Sequence, residues 1–205
     1  MPQLRQRVFI VAILPSYKFS FPPPTHTQPT STTSLFPLPP YRTVGQALEG
    51  LQEPRRGNDP EAEDNHVDIT PSRDRIRIHG VPEGSHLAAQ LHLPAEQRCK
   101  LTKKDTTKFR RLSRDEPALT LRGGEIFYHP TEDRYLTPRE YLRIHGYPDN
   151  YRLRGPIRGR SGTFRHLDQH RQVANSVPPP VAKCIAEAIA RTLECPDYSK
   201  SLVIL

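Results

Sequence analysis

Thr137-Pro138-Arg139-Glu140-Tyr141-Leu142-Arg143-Ile144-His145-Gly146-Tyr147-Pro148-Asp149 carries a helix start and a helix stop in one short stretch. Thr137 reads as the cap, because its hydroxyl can accept from the Glu140 backbone N–H while the Glu140 side chain reaches back to the N–H of Thr137. Pro138 stands at the first helical position, where a missing N–H is no loss. Gly146 offers a left-handed exit, and Pro148 forbids continuation. After a basic, glycine-containing insert the chain resumes with Arg171-Gln172-Val173-Ala174-Asn175-Ser176-Val177-Pro178-Pro179-Pro180 and then an apolar helix. That helix is expected from about Pro179 to Leu193, since Val181, Ile185, Ile189 and Leu193 recur every fourth residue beside Ala182, Ala186 and Ala188.

The totals narrow the class. The chain has 205 residues, room for one domain with tails. Its 23 prolines are roughly twice the ordinary share of about 5%, so part of it is expected to lack a packed core. A net charge of +8 and a pI near 9.6 suit a polyanionic partner, with nucleic acid first among the candidates. Cys99, Cys184 and Cys195 are odd in number and show no CxxC spacing, which argues against a disulfide framework or a zinc site and for an intracellular compartment. His79, His86 and His92 lack metal-ligand spacing, and no metal is expected. The apolar run Val8 to Leu14 is too short to span a bilayer and has no cleavage site after it, so neither a membrane span nor a signal peptide is expected.

In chain order, Val8 to Ile13 is an almost unbroken, β-branched run that predicts a strand buried on both faces. Gln3, Arg5 and Arg7 alternate and would project to one side of it, either into solvent or towards a shared ligand. Pro15 to Pro40, rich in Pro, Ser and Thr, reads as an extended connector. Tyr41 to Leu51 predicts a short helix capped by Thr43, and Gln52 to Asp74 a charged loop. Ile76, Ile78 and Val81 suggest a weak strand, followed by a turn at Pro82-Glu83-Gly84-Ser85. Lys100 to Arg114 is the most basic stretch; Lys103, Lys104, Lys108, Arg110 and Arg111, mixed with threonines, suit a phosphate backbone or simply a solvated loop. Ala118 to Leu121 and Glu125 to Tyr128 read as short strands around Gly123-Gly124, a pair without dinucleotide-loop spacing.

Taken together, these pieces resemble the C-terminal portion of the DNA (cytosine-5) methyltransferases. MPQLRQRVFIVA is similar to that family's motif VIII, with Gln3, Arg5 and Arg7 on its QxRxR pattern. His129 to Tyr151 resembles motif IX, with Arg134, Leu136, Thr137, Arg139 and Glu140 on an RxLTxRE core. Arg171 to Ile189 resembles motif X, with Ala174 where the family usually has glycine. Arg110 to Leu121 is similar to a segment that often precedes motif IX.

The resemblance implies an α/β fragment: the C-terminal part of a Rossmann-like methyltransferase fold plus a small, irregular target recognition domain. Residues 1–14 would close the catalytic sheet, 15–40 connect, 41–128 recognise the target, and 129–193 hold motif IX and the motif X helix, leaving 194–205 as a tail. The family flips cytosine from the duplex, attacks carbon 6 with a cysteine thiolate, and transfers a methyl group from S-adenosylmethionine to carbon 5. Arg5 and Arg7 would support the flipped base and the catalytic glutamate. Asn175 and Val177 would line the methyl-donor pocket. The Pro-Cys nucleophile, the Glu-Asn-Val glutamate and the Gly-rich cofactor loop do not occur in this sequence. The expectation is therefore a chain that begins in mid-domain, inactive alone, with DNA as partner and a complementary chain supplying the N-terminal half; it would act in a nucleus, or in cytoplasm in a cell without one. A non-catalytic DNA-binding module and an incomplete gene product that does not fold stably are the alternatives.

Overall fold

The structure is a computed structural model, and it describes residues 1–28, 38–59, 61–90, 93–98, 109–158 and 167–194. Its elements are α1 (Val44–Leu48), β1 (Arg55–Arg56), β2 (Val67–Asp68), α2 (Ser72–Ile78), a 3-10 turn (Leu87–Ala89), α3 (Pro138–His145), α4 (Gln169–Asn175) and α5 (Pro179–Glu194). The chain divides into two compact units, one of residues 1–4 and 42–176, the other of residues 5–41 and 177–205. The division falls after Leu4, so the first residues of the expected catalytic strand belong with the larger unit.

The larger unit is organised around α3. The capping box forms as its sequence demands: the Thr137 hydroxyl accepts from the Glu140 N–H at 3.2 Å, and the Glu140 carboxylate accepts from the Thr137 N–H at 2.7 Å. Gly146 ends the helix at φ 85°, a conformation in which a Cβ would be strained. Tyr141, Leu142 and Ile144 are fully buried and join Val44 and Ala47 of α1, Ile78 of α2 and Val173 of α4 in one core. Helix α3 packs against both α1 and α4. The helix expected near Tyr41–Leu51 is α1, and Thr43 caps it with Gln46 in a second capping box. Met1–Leu4 lies beside residue 118: the Leu4 N–H donates to the Ala118 carbonyl, and the Ala118 N–H donates to that of Pro2, both at 2.8 Å. The predicted turn also forms, with the Ser85 N–H donating to the Pro82 carbonyl at 3.1 Å.

Three local expectations are corrected here. Residues 76–81 were expected as a strand, but Ser72–Ile78 is helical. The Ile76/Ile78 alternation misled, since a strand would bury both, whereas the helix buries Ile78 and leaves Ile76 in solvent. Asp74 in the first turn and Arg75 and Arg77 in the last suit the helix dipole. Gln52 to Asp74 is not all loop, because β1 and β2 pair in parallel, Arg55 against Val67 and Arg56 against Asp68. The strands expected at 118–121 and 125–128 reduce to single bridges, Gln3 to Ala118 and Tyr128 to both Arg111 and Tyr135. Pro117 and Pro130, without an N–H, flank these pairings and limit any ladder.

In the smaller unit the expectation of a doubly buried strand at Val8–Ile13 is not met. The run is unpaired among the described residues, and Val8 and Ile10 are 87% and 90% exposed. Without neighbouring strands, β-branched sequence alone does not make a sheet. The connector's described residues hold no helix, and Thr27 bridges Pro40. The last helix spans Pro179–Glu194, as its periodicity predicts; Val181, Ile185 and Ile189 are only half-buried, and Leu193 is exposed. No helix among the described residues is long and apolar enough to cross a membrane.

Candidate functional site

The chemistry-bearing groups of the larger unit gather at the N-terminus of α3. Arg134, fully enclosed, donates to Glu140 through Nη1 at 2.9 Å and Nη2 at 2.8 Å, and to Glu132 through Nε at 2.8 Å and Nη2 at 3.0 Å. Burial alone would lower the Arg134 pKa, but the two carboxylates raise it above the ordinary arginine value. Glu132 is held below the usual carboxylate range by the same guanidinium. The Glu140 carboxylate therefore serves the helix cap and the arginine together. His66 completes the cluster. Its Nε2–H donates to the Gln52 carbonyl at 2.7 Å, which leaves Nδ1 to accept from the Thr137 hydroxyl at 2.8 Å.

Around this centre, buried polar groups tie distant loops to α3. Arg139 donates to the Asp64 carbonyl at 2.6 Å and the Tyr151 carbonyl at 2.9 Å, and burial lowers its pKa. Asn65, at φ 54°, exchanges hydrogen bonds with the Leu153 backbone at 3.1 and 2.8 Å. His170 of α4 places Nδ1 3.1 Å from the Ile157 carbonyl and Nε2 2.9 Å from the Leu136 carbonyl, and burial pushes its pKa down. At the far end of α3, His145 Nε2 lies 3.2 Å from the Ser176 carbonyl, next to Asn175. A cavity of about 320 Å³ opens beside Gly45, Glu49, Glu53, His129, Glu132 and Arg134. Carboxylates and the Arg114 and Arg134 guanidinium groups line it together. The whole arrangement holds loops in register around α3.

Among the described residues the one cysteine is Cys184, exposed on α5, and no cluster of histidine, cysteine and carboxylates could hold a metal ion. Arg5 is half-buried and Arg7 exposed, Nη1 of Arg7 lying 3.5 Å from the Gln6 carbonyl. Asn175 is the exposed last residue of α4, and Val177 is exposed in the other unit. Ala174 is helical and buried, so no positive φ is needed where the family usually has glycine. One amide and one isopropyl group fit only part of S-adenosylmethionine; nothing here supplies a glycine-rich turn for the rest of it.

Of the expected DNA contacts, Lys103, Lys104 and Lys108 lie outside the described residues. Arg110 is half-buried and donates to the Gly84 carbonyl at 3.3 Å. Arg111 is a correction. It is 5% exposed, and its guanidinium donates to the carbonyls of Ile78, His129, Pro130 and Glu132 and to the Asp133 carboxylate at 2.6 Å. A guanidinium enclosed by carbonyls has no face left for a phosphate, so this residue is structural.

Sequence reasoning missed α4, although Asp168 caps it by accepting from the Arg171 N–H at 2.8 Å. It also missed the purpose of Gly123. A Cβ there would meet Arg171 Cγ at 2.3 Å and Cα at 2.8 Å, so the loop passes directly against α4. The Gly-Gly pair was the available signal.

The profile of the C-5 cytosine-specific DNA methylases matches residues 1–191. The chain belongs to that family. Over 99% of its length it is 28% identical to the type II methyltransferase M.NgoFVII of Neisseria gonorrhoeae, and over 97% it is 30% identical to M.BbvI of Brevibacillus brevis. A shorter segment, 28% of this chain and 3% of the relative, is 49% identical to DNA (cytosine-5)-methyltransferase 1 of Gallus gallus. The cytosine-5 methylase chain spans about half the length of the first two relatives, 51% and 47%. It shares its fold, at a TM-score of 0.52 and 20% identity, with an E. coli prophage-encoded chain described as a DNA modification methyltransferase; the likeness covers 77% of this chain and 49% of that one.

Proposed function

We propose that this chain is the C-terminal portion of a DNA cytosine-5 methyltransferase, carrying the target recognition region and the last strand and helices of the catalytic fold. One observation carries the reading: the family match runs through residue 191, yet the sequence contains no Pro-Cys and no Glu-Asn-Val string. Arg5 and Arg7 would then support the flipped cytosine, because a guanidinium can donate to a ring carbonyl and offset negative charge developing on the ring. Asn175 and Val177, each in its own unit, would be residues that contact the methyl donor. The thiolate, the assisting glutamate and the cofactor loop would come from the portion of the methyltransferase domain that this chain does not match. The braced core around α3 supports this division of labour, since it fixes the recognition loops without chemistry of its own. A labelled-methyl assay on cytosine-containing DNA tests the proposal. No transfer is expected from the chain alone, and turnover by the isolated chain would overturn it.

A second reading, a DNA-binding module without any transfer role, is favoured by the net charge of +8. Both readings require binding that weakens steeply with salt, since each neutralised phosphate releases counterions. They part when the complementary half is added: methyl transfer supports the first and excludes the second.

A further inference from the structure

Four residues, Arg122-Gly123-Gly124-Glu125, stand between two buried anchors, Leu121 and Ile126. Tyr141 of α3 closes the base of this turn. Its hydroxyl donates to the Arg122 carbonyl and accepts from the Phe127 N–H, both at 3.3 Å. Tyr141 is fully buried, and burial pushes its pKa up, so the hydroxyl keeps its proton. Behind the turn, Gly123 lies so close to Arg171 that no Cβ fits. Gly124 has no such reason to be glycine. Its φ is not positive, it is exposed, and a Cβ there would meet nothing within 4 Å. The fold would accept a side chain at this position; a closely approaching ligand would not. The N–H groups of Gly123 and Gly124 also donate to no backbone carbonyl among the described residues. Beside them the Arg122 side chain is 53% exposed, and its 3.9 Å contact with Glu125 is too loose to hold it.

We propose that this turn holds a phosphate of the DNA backbone, through the N–H groups of Gly123 and Gly124 and the Arg122 guanidinium, and that Tyr141 is the positioning residue that sets its height. The proposal rests on DNA as the partner, as given under Proposed function, and adds residues that meet it. Backbone N–H groups and arginine are among the groups that take phosphate oxygens, and such contacts fix the register of a protein on a duplex. Glycine lets the chain approach the phosphate with no Cβ between them. A polyanion also suits the net charge of +8. Tyr141 acts at one remove and touches no DNA. Without its hydroxyl, the Arg122 carbonyl and the Phe127 N–H lose their common tie. The turn is then free to drift from the height at which its N–H groups reach the phosphate.

The test uses the full 205-residue chain and short random-sequence DNA duplexes, with affinity read by fluorescence anisotropy across a salt series. Arg122→Gln is expected to reduce the slope of log K against log salt by about one, the mark of one lost phosphate contact. Gly124→Leu changes no charge and is expected to weaken binding by about tenfold, with an unchanged melting temperature. Tyr141→Phe keeps the ring in the core and should weaken binding by a similar factor, measured well below its own melting transition. The double variant Tyr141→Phe/Gly124→Leu separates positioning from stability. It should bind no worse than Gly124→Leu alone, because both changes act through one contact. Multiplied losses in the double variant would make Tyr141 a structural residue and overturn its role. Parent-like affinity and salt slope in the Arg122 and Gly124 variants overturn the site, as does a Gly124→Leu melting temperature that falls along with affinity. Tighter binding of an RNA duplex than of the DNA duplex assigns the turn to another polymer and also overturns the proposal. Failure of the parent chain to bind DNA at low salt overturns the DNA reading itself, whereas parent binding with unchanged variants rejects this turn alone.

Discussion

Arg134 and Glu140 face one another through two parallel hydrogen bonds of 2.9 and 2.8 Å, both side chains withdrawn almost completely from solvent. The carboxylate that closes the α3 capping box is thus the same one that neutralises the most enclosed arginine of the cluster. Helix initiation and neutralisation of the buried Arg134 share one carboxylate.

Removing one partner leaves an uncompensated charge inside. Arg134→Met is expected to lower unfolding free energy by about 3–5 kcal/mol, while Arg134→Met combined with Glu140→Leu should cost clearly less than the sum of the two single changes. Urea unfolding of the four proteins measures the coupling. Additive losses would show that the pair does not act as a unit.

Thr137→Ala removes the cap and the hydroxyl that His66 accepts from. A loss of about 1–2 kcal/mol is expected, and Thr137→Ser should restore most of it. Equal losses in the two variants, read by thermal denaturation, would mean that the hydroxyl contributes nothing.

The two glycines at 123 and 124 should behave differently. A Cβ at Gly123 would run into Arg171 at its backbone Cα, whereas Gly124 has nothing within 4 Å. Gly123→Ala is expected to cost about 1–3 kcal/mol by overpacking, and Gly124→Ala to be close to silent. Similar melting temperatures for both variants would contradict the close approach of this loop to α4.

Gln3 is 6% exposed, and neither amide atom has a partner. An orphaned buried amide costs about 1–3 kcal/mol. Gln3→Met should therefore leave stability unchanged or raise it by about 1 kcal/mol. A marked loss on chemical denaturation would reveal a partner for the amide in solution.

Burial lowers the pKa of both His129 and His170 relative to the unfolded chain. Above the ordinary histidine value both states hold the rings neutral and stability is full. As pH falls below about 6.5 the unfolded chain takes up the protons first, so stability declines. Burial opposes ionisation of Asp133, but hydrogen bonds from His79 and Arg111 hold its pKa low, so its contribution is lost only further down, as pH falls through the carboxylate range. Unfolding curves between pH 8 and pH 5 should show the histidine loss, and His170→Gln should flatten it. A slope unchanged by that substitution would assign the loss to other groups.

Much of the larger unit's frame was legible. The Thr43 cap, the Thr137 capping box and the Gly146 exit follow from backbone geometry that a few neighbouring residues impose, as does the Pro179 helix start in the smaller unit. The candidate site was legible only in outline. Arg111 sits in a run of cations and reads as a phosphate contact; its burial depends on carbonyls from residues 78, 129, 130 and 132, which the chain brings together only on folding. The α2 segment misled because two isoleucines spaced by two satisfy a strand pattern, while Asp68 accepting from Arg75 favours the helix.

By itself, then, the sequence determined where α1, α3 and α5 begin and end, and, through its motif order, the family to which the chain belongs. Those properties depend on contacts between residues three or four apart, or on strings that survive as strings. Only the tertiary structure decided which arginines face water, why Gly123 must lack a side chain, and that Val8–Ile13 has no neighbouring strand among the described residues. Each of those depends on groups far apart in the chain, whose desolvation and hydrogen bonding exist only once the loops have closed around α3.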